Sequence, residues 1–215
     1  MTSPVTTKVT YFKNIPVIPE EKSIMSRLGY HRRLTALNVK NKKFINEISS
    51  LGLALCRNQG AAGRFAIKAR TAETITLTDG ASLESRQLSK LLQKSDEVLF
   101  MAGTAGPEIT DRISREMEQG NAAAAVVLDA VASVSADMTL DWIMDVFNKT
   151  LRREGRQLTG HRYSPGFGDL PLSNQAVIFR LLGLERLDLR LTESMMLVPE
   201  KSVLAIAGIE RIETN

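Results

Sequence analysis

The stretch His161-Arg162-Tyr163-Ser164-Pro165-Gly166-Phe167-Gly168-Asp169-Leu170-Pro171 gathers residue types that neither a helix nor a regular strand favours. Arg162 offers a planar fork of donors suited to a carboxylate or a phosphate. Pro165 fixes φ and has no N–H to donate. Gly166 and Gly168 permit backbone conformations and close approaches that a Cβ would forbid. Ordering such a segment costs backbone entropy, which suits a binding loop better than a plain connection. The competing reading is a tight turn between a strand and a helix, with Arg162 solvated.

Other candidate chemistry is weaker. Gly103-Thr104-Ala105-Gly106-Pro107 follows an apolar run and precedes a helical pattern, the outline of a phosphate-binding loop. It lacks both the G-x-G-x-x-G and the G-K-[ST] fingerprints, so a turn that brings a helix close to a sheet is the better reading. Asp137, Asp141 and Asp145 stand four apart and share one helical face. Carboxylates in a row can hold a cation, but Asp ordinarily faces solvent and no histidine is near. Cys56 is the single cysteine, which excludes an internal disulfide and a self-contained cluster held by several thiolates. The two histidines, His31 and His161, are too few for a metal site of their own.

The 215 residues suggest one large domain or two small ones, and suffice for an ordinary core. No uninterrupted apolar run is long enough to span a bilayer, and Met1 to Lys13 lacks the apolar core of a secretion signal. These features point to the cytoplasm. The net charge is +4, and basic residues gather in two groups. One is His31, Arg32, Arg33, Lys40, Lys42 and Lys43; the other is Lys149, Arg152, Arg153, Arg156 and Arg162. Aromatics make up only 5% of the chain and do not interleave with these groups, so base stacking is poorly provided for. Solvated helix faces come first as an explanation, an acidic protein partner second and nucleic acid third.

The periodicities predict the elements that must position the loop. Residues 1–18 form an irregular or strand-like arm. A helix starts at Pro19 and stops at Gly29. A second covers 37–55, with Gly60 and Gly63 breaking it. Strands at 64–70 and 74–78 follow, and Asp79-Gly80 after them is a turn signal. A helix over 82–92, a strand over 97–102 and a helix over 107–118 follow. The longest helical stretch, 121–154, admits a break near 133–136. A strand from Arg156 to Tyr163 leads into the loop. A helix over 172–182 comes next, with Ser173 able to cap it and Gly183 ending it. The last strands are Leu187 to Thr192 and Ser202 to Ile209. The reading is α+β.

Two segments in order resemble the activation (reactivation) domain of vitamin B12-dependent methionine synthase. The family's S-adenosylmethionine loop reads Arg-x-x-x-Gly-Tyr. Arg162 to Phe167 is similar to it, with Phe167 in the Tyr place. The run Leu191-Thr192-Glu193-Ser194, followed by Pro199 and Ser202, resembles a second family feature. The strand and Gly-Thr-x-Gly turn of Glu97 to Gly106 also resemble the family. The likeness is good over 95–210 and loose over the largely helical 1–60, with one activation-type domain spanning 1–215.

The resemblance implies a twisted antiparallel sheet with flanking helices. It implies a protein that binds S-adenosylmethionine and supports the reductive remethylation of cob(II)alamin. The cobalamin would be held by a separate methionine synthase or other corrinoid protein, since the chain has no room for a cobalamin, folate or homocysteine domain. The electron would come from a flavodoxin or ferredoxin-type donor. On this reading Arg162 takes the ligand carboxylate bidentately. Gly166 lets main chain approach the adenosyl group, and backbone around Ser164 and Phe167 reads adenine edges. Asp169 or Glu193 meets the ammonium or sulfonium. The missing Tyr hydroxyl at Phe167 weakens binding by about 1 kcal/mol rather than abolishing it. The alternatives are a docking module or assembly factor for a corrinoid protein that does not turn over, and a methyltransferase with a non-corrinoid acceptor.

Overall fold

The computed structural model describes residues 9–30 and 38–212. His31, Arg32 and Arg33 of the first basic group lie outside them, as does the start of the N-terminal arm.

The architecture is α+β, a curled antiparallel sheet with helices on both faces. Its strands are β1 (Val9–Phe12), β2 (Gln59–Arg70), β3 (Thr74–Leu77), β4 (Ser82–Glu84), β5 (Ser95–Thr104), β6 (Arg156–Leu158) and β9 (Ser202–Arg211). The order is β4-β3-β2-β5-β9-β6, and β1 pairs with the first part of β2. A separate hairpin joins β7 (Arg190–Leu191) to β8 (Leu197–Val198). The helices are α1 (Glu21–Arg27), α2 (Val39–Leu55), α3 (Arg86–Leu91), α4 (Pro107–Glu118), α5 (Ala122–Arg153) and α6 (Asn174–Leu182).

β5 lies between β2 and β9 and is buried on both sides, so it reads as a continuous apolar run. Alternate residues serve two cores, as the two-residue side-chain period of a strand requires. Val98, Phe100 and Ala102 join Ile206, Leu182 and Phe179 on the α6 side. Leu99 and Met101 join Ala205, Ala207, Leu140 and Ile143 on the α5 side.

α5 lies close on that second face because the sheet presents glycine beneath it. A Cβ on Gly60 would come within 2.7 Å of Ile143 Cδ1, and one on Gly103 within 2.9 Å of Thr139 Cγ2. α5 is apolar and long enough by composition to cross a bilayer, yet most of its apolar stretch is buried inside the protein. It is a core helix.

Several expected boundaries move. Helix α2 ends at Leu55, and Gly60 and Gly63 lie within β2 instead of breaking the helix. The segment expected to be helical over 82–92 opens as strand β4, with Leu83 buried by pairing against β3. Ser85 then caps the short α3 by accepting from the Leu88 N–H at 2.9 Å. Helix α5 runs unbroken through 133–136, where Ser133, Ser135 and Ala136 are buried and Thr139 Oγ1 donates back to the Ser135 carbonyl. Ser173 makes no side-chain cap because its own backbone is already helical. Gly103 and Thr104 still belong to β5, so the glycine turn begins later than expected. The strand expected over 187–192 is cut to β7 by a 3-10 turn at Leu184–Leu187 and a left-handed Asp188.

At one end of the sheet Glu97 on β5 binds two guanidiniums. Arg64 Nε lies 2.7 Å and Arg156 Nη1 2.6 Å from its oxygens, and Arg64 also reaches Glu154. Burial alone would raise the Glu97 carboxyl, but the two arginines hold it below its ordinary value. A lowered folded-state value gives stability that is complete above the unfolded value and is lost as pH falls through the folded one. Glu97→Gln is expected to cost about 2 kcal/mol at pH 7, which is roughly 4–8 °C in Tm. The gap to the wild type should close below about pH 4. Thermal melts across that range check it; a gap that persists in acid would contradict the ionic account.

Candidate functional site

Pairing with β9 decides which way Arg162 faces. Tyr163 bridges Ile206, with both main-chain hydrogen bonds at 2.8 Å. Tyr163 therefore joins the α6-side core, and its neighbour Arg162 turns to the α5 side. There the guanidinium meets α5. Nη1 donates to Asp141 Oδ1, and Nη2 stands 3.7 Å from Asp137 Oδ1 and 3.5 Å from the Asp137 carbonyl. Met144 Sδ lies 4.0 Å from Nη1. The Arg162 side chain is 24% exposed, whereas Asp137 and Asp141 are 52% and 60% exposed. The cation is thus partly withdrawn from water, while both carboxylates remain open to a newcomer.

The pairing of these two carboxylates with Arg162 is not legible in the sequence. The four-residue spacing was visible, but a shared helical face is also how a solvated helix looks. Only the close seating of α5 on Gly60 and Gly103 brings that face to Arg162. Asp145, the third of the row, makes no ion pair among the described residues.

Beyond Arg162 the chain doubles back. The Phe167 N–H donates to the Ser164 carbonyl at 3.2 Å, the Gly166 N–H to the Leu170 carbonyl at 2.9 Å, and the Leu170 N–H to the Phe167 carbonyl at 3.1 Å. Gly166 and Gly168 have φ of +89° and +53°, the left-handed region that a side chain disfavours. Gly166, Phe167, Gly168 and Asp169 are exposed, and Phe167 is 68% exposed. Gly166 and Phe167 offer main chain to solvent, while Gly168 lies against the Tyr163 and Gln87 side chains.

The two acidic candidates for the ligand cation sit elsewhere. Asp169 accepts from Ser85 Oγ and from the N–H groups of Arg86 and Gln87, so both its oxygens are engaged at the start of α3. Glu193 is exposed on the turn of the β7–β8 hairpin and makes no ion pair among the described residues. The carboxylates beside Arg162 are Asp137 and Asp141. A row of groups holding a positive fork between two negative ones can receive an α-amino acid end, with its carboxylate on the arginine and its ammonium on an aspartate.

The second basic group divides in the structure. Arg156 and Arg162 are ion-paired, while Lys149, Arg152 and Arg153 stand exposed at the last turns of α5 with no ion pair among the described residues.

A crystal structure of the MetH reactivation domain bound to AdoHcy superposes on this chain with a TM-score of 0.67. The fold is that of the MetH reactivation domain. The match covers 97% of this chain and 80% of the other at 15% sequence identity, so it extends through the N-terminal part where the sequence likeness was loose. No family model matches the chain, and no curated protein matches it significantly.

Proposed function

We propose that the protein binds S-adenosylmethionine and supports reductive remethylation of cob(II)alamin carried by a methionine synthase or another corrinoid protein. The observation that carries this reading is Arg162 held between Asp137 and Asp141, just before an exposed glycine turn in the chain. The likeness to a reactivation domain solved with AdoHcy supports the adenosyl part.

The residues present fit the ligand by charge. Arg162 takes the carboxylate as a bidentate partner. Asp137 and Asp141, released from the guanidinium, face the ammonium and the sulfonium. Main chain at Ser164, Gly166 and Phe167 lies open to the adenosyl group. S-adenosylmethionine supplies the methyl group and a flavodoxin or ferredoxin-type donor supplies one electron, so that methylcobalamin and S-adenosylhomocysteine are the products. The protein's own task is to hold the methyl donor at a fixed position and orientation against the partner. The exposure of Phe167 supports a contact with that partner. Lys149, Arg152 and Arg153 form a positive end to which an acidic electron donor is drawn. The reading places the protein in the cytoplasm.

Titration calorimetry of S-adenosylmethionine and S-adenosylhomocysteine into the purified protein tests the first half. Binding of both is expected, and no detectable heat or competition would end the proposal. Methyl transfer to cob(II)alamin on a corrinoid protein, with reduced flavodoxin present, tests the second half.

A further inference from the structure

The turn from Ser164 to Gly168 is fastened on both sides to α3. Before it, Tyr163 Oη donates to Gln87 Oε1 at 2.7 Å. After it, Asp169 accepts from Ser85 Oγ, from the Arg86 N–H at 2.7 Å and from the Gln87 N–H at 3.3 Å. Gly168 passes directly beneath this junction. A Cβ there would overlap Tyr163 Oη and come within 2.6 Å of Gln87 Oε1. Ser85 already caps α3 through the Leu88 N–H. The helix therefore has a cap of its own, and Asp169 adds a tie between the helix and the loop. The Ser85 hydroxyl, with the Gln87 and Arg86 N–H groups, holds the Asp169 carboxyl below its ordinary value, so it is ionised and accepting at neutral pH.

We infer that Asp169 is a positioning residue, which clamps the glycine turn to α3 so that the main chain of Ser164 to Phe167 keeps the conformation the adenosyl group requires. This rests on the adenosyl-binding reading above. The physical reason is entropic. A turn with two glycines in left-handed conformations loses much freedom when it orders. A clamp that orders it beforehand spares the ligand that cost.

The test uses Asp169→Ala, Asp169→Asn and Ser85→Ala in the full chain, each with S-adenosylmethionine affinity and Tm measured. It also reads amide hydrogen exchange at Gly166 and Leu170 without ligand. Asp169→Ala is expected to bind at least tenfold more weakly at a temperature where it is fully folded, with faster exchange at both amides. Asp169→Asn keeps one oxygen acceptor and should fall between. Ser85→Ala removes the α3 cap together with one of the three bonds to Asp169 and leaves both N–H bonds; it should lower Tm while weakening binding clearly less than Asp169→Ala does. Asp169→Ala binding within twofold of the wild type, or unchanged amide protection, overturns the clamp. So does a loss of affinity that tracks Tm equally in Asp169→Ala and Ser85→Ala, since α3 capping alone would then explain both. A wild type that does not bind would instead remove the adenosyl reading itself.

Discussion

Arg162→Ala is expected to weaken S-adenosylmethionine binding by roughly ten- to a hundredfold, the range for losing a charge-assisted bidentate pair. The variant should fold normally. The partners left behind, Asp137 and Asp141, are more than half exposed and can be solvated where they stand. Arg162→Lys should recover only part of the loss, because a point charge cannot reproduce the fork. Asp137→Asn and Asp141→Asn should also weaken binding, through the ammonium and sulfonium. They should affect S-adenosylmethionine more than S-adenosylhomocysteine, which carries no sulfonium charge. Calorimetry with both ligands on all four variants checks this. An Arg162→Ala protein that binds like the wild type would show that the carboxylate is received elsewhere.

Gly60→Val is expected to cost at least about 3 kcal/mol, which is roughly 6–12 °C in Tm. The added Cβ would stand 2.6 Å from the Ala102 carbonyl and 2.7 Å from Ile143 Cδ1. The first of these is main chain in the middle of the sheet and cannot step aside as a flexible side chain would. Relief of the second has to come from lifting α5 or turning Ile143 aside, and lifting α5 would carry Asp137 and Asp141 away from Arg162. Ligand affinity should therefore fall together with stability. Gly160→Ala, which meets nothing within 4 Å, serves as the neutral control and should stay within about 0.5 kcal/mol. Equal Tm values for the two variants would refute the close-seating account of α5.

How much was legible beforehand depended on the range of the interaction. Helices α2, α4 and α5 and strands β3, β5 and β9 announce themselves by local periodicity, because the spacing of apolar side chains is a property of a few adjacent residues. The 82–92 segment misled for the same reason. Leu88, Leu91 and Leu92 look helical, while the strand character of Ser82 to Glu84 comes from pairing with β3. Gly60 and Gly63 read as helix breakers, yet they are strand residues: the missing side chain of Gly60 admits α5, and that of Gly63 leaves room for Leu182 of α6.

The site divides along the same line. Arg162 and the glycine turn are recognisable from a short run of sequence. Which carboxylates face Arg162 depends on how a helix lies across a sheet, and no local spacing encodes that. Asp169 reads as a ligand group, and that its oxygens accept from Ser85, Arg86 and Gln87 was not legible, because those partners come from a distant part of the chain.

The unbroken course of α5 has a geometric consequence. Asp137 and Asp141 precede Lys149, Arg152 and Arg153 on one rigid rod, so the two charge groups are separated by about 12 to 24 Å along its axis at 1.5 Å per residue. On the proposed function, an acidic electron donor at the positive tip and the amino-acid end of the ligand at mid-shaft would therefore not compete for the same ground.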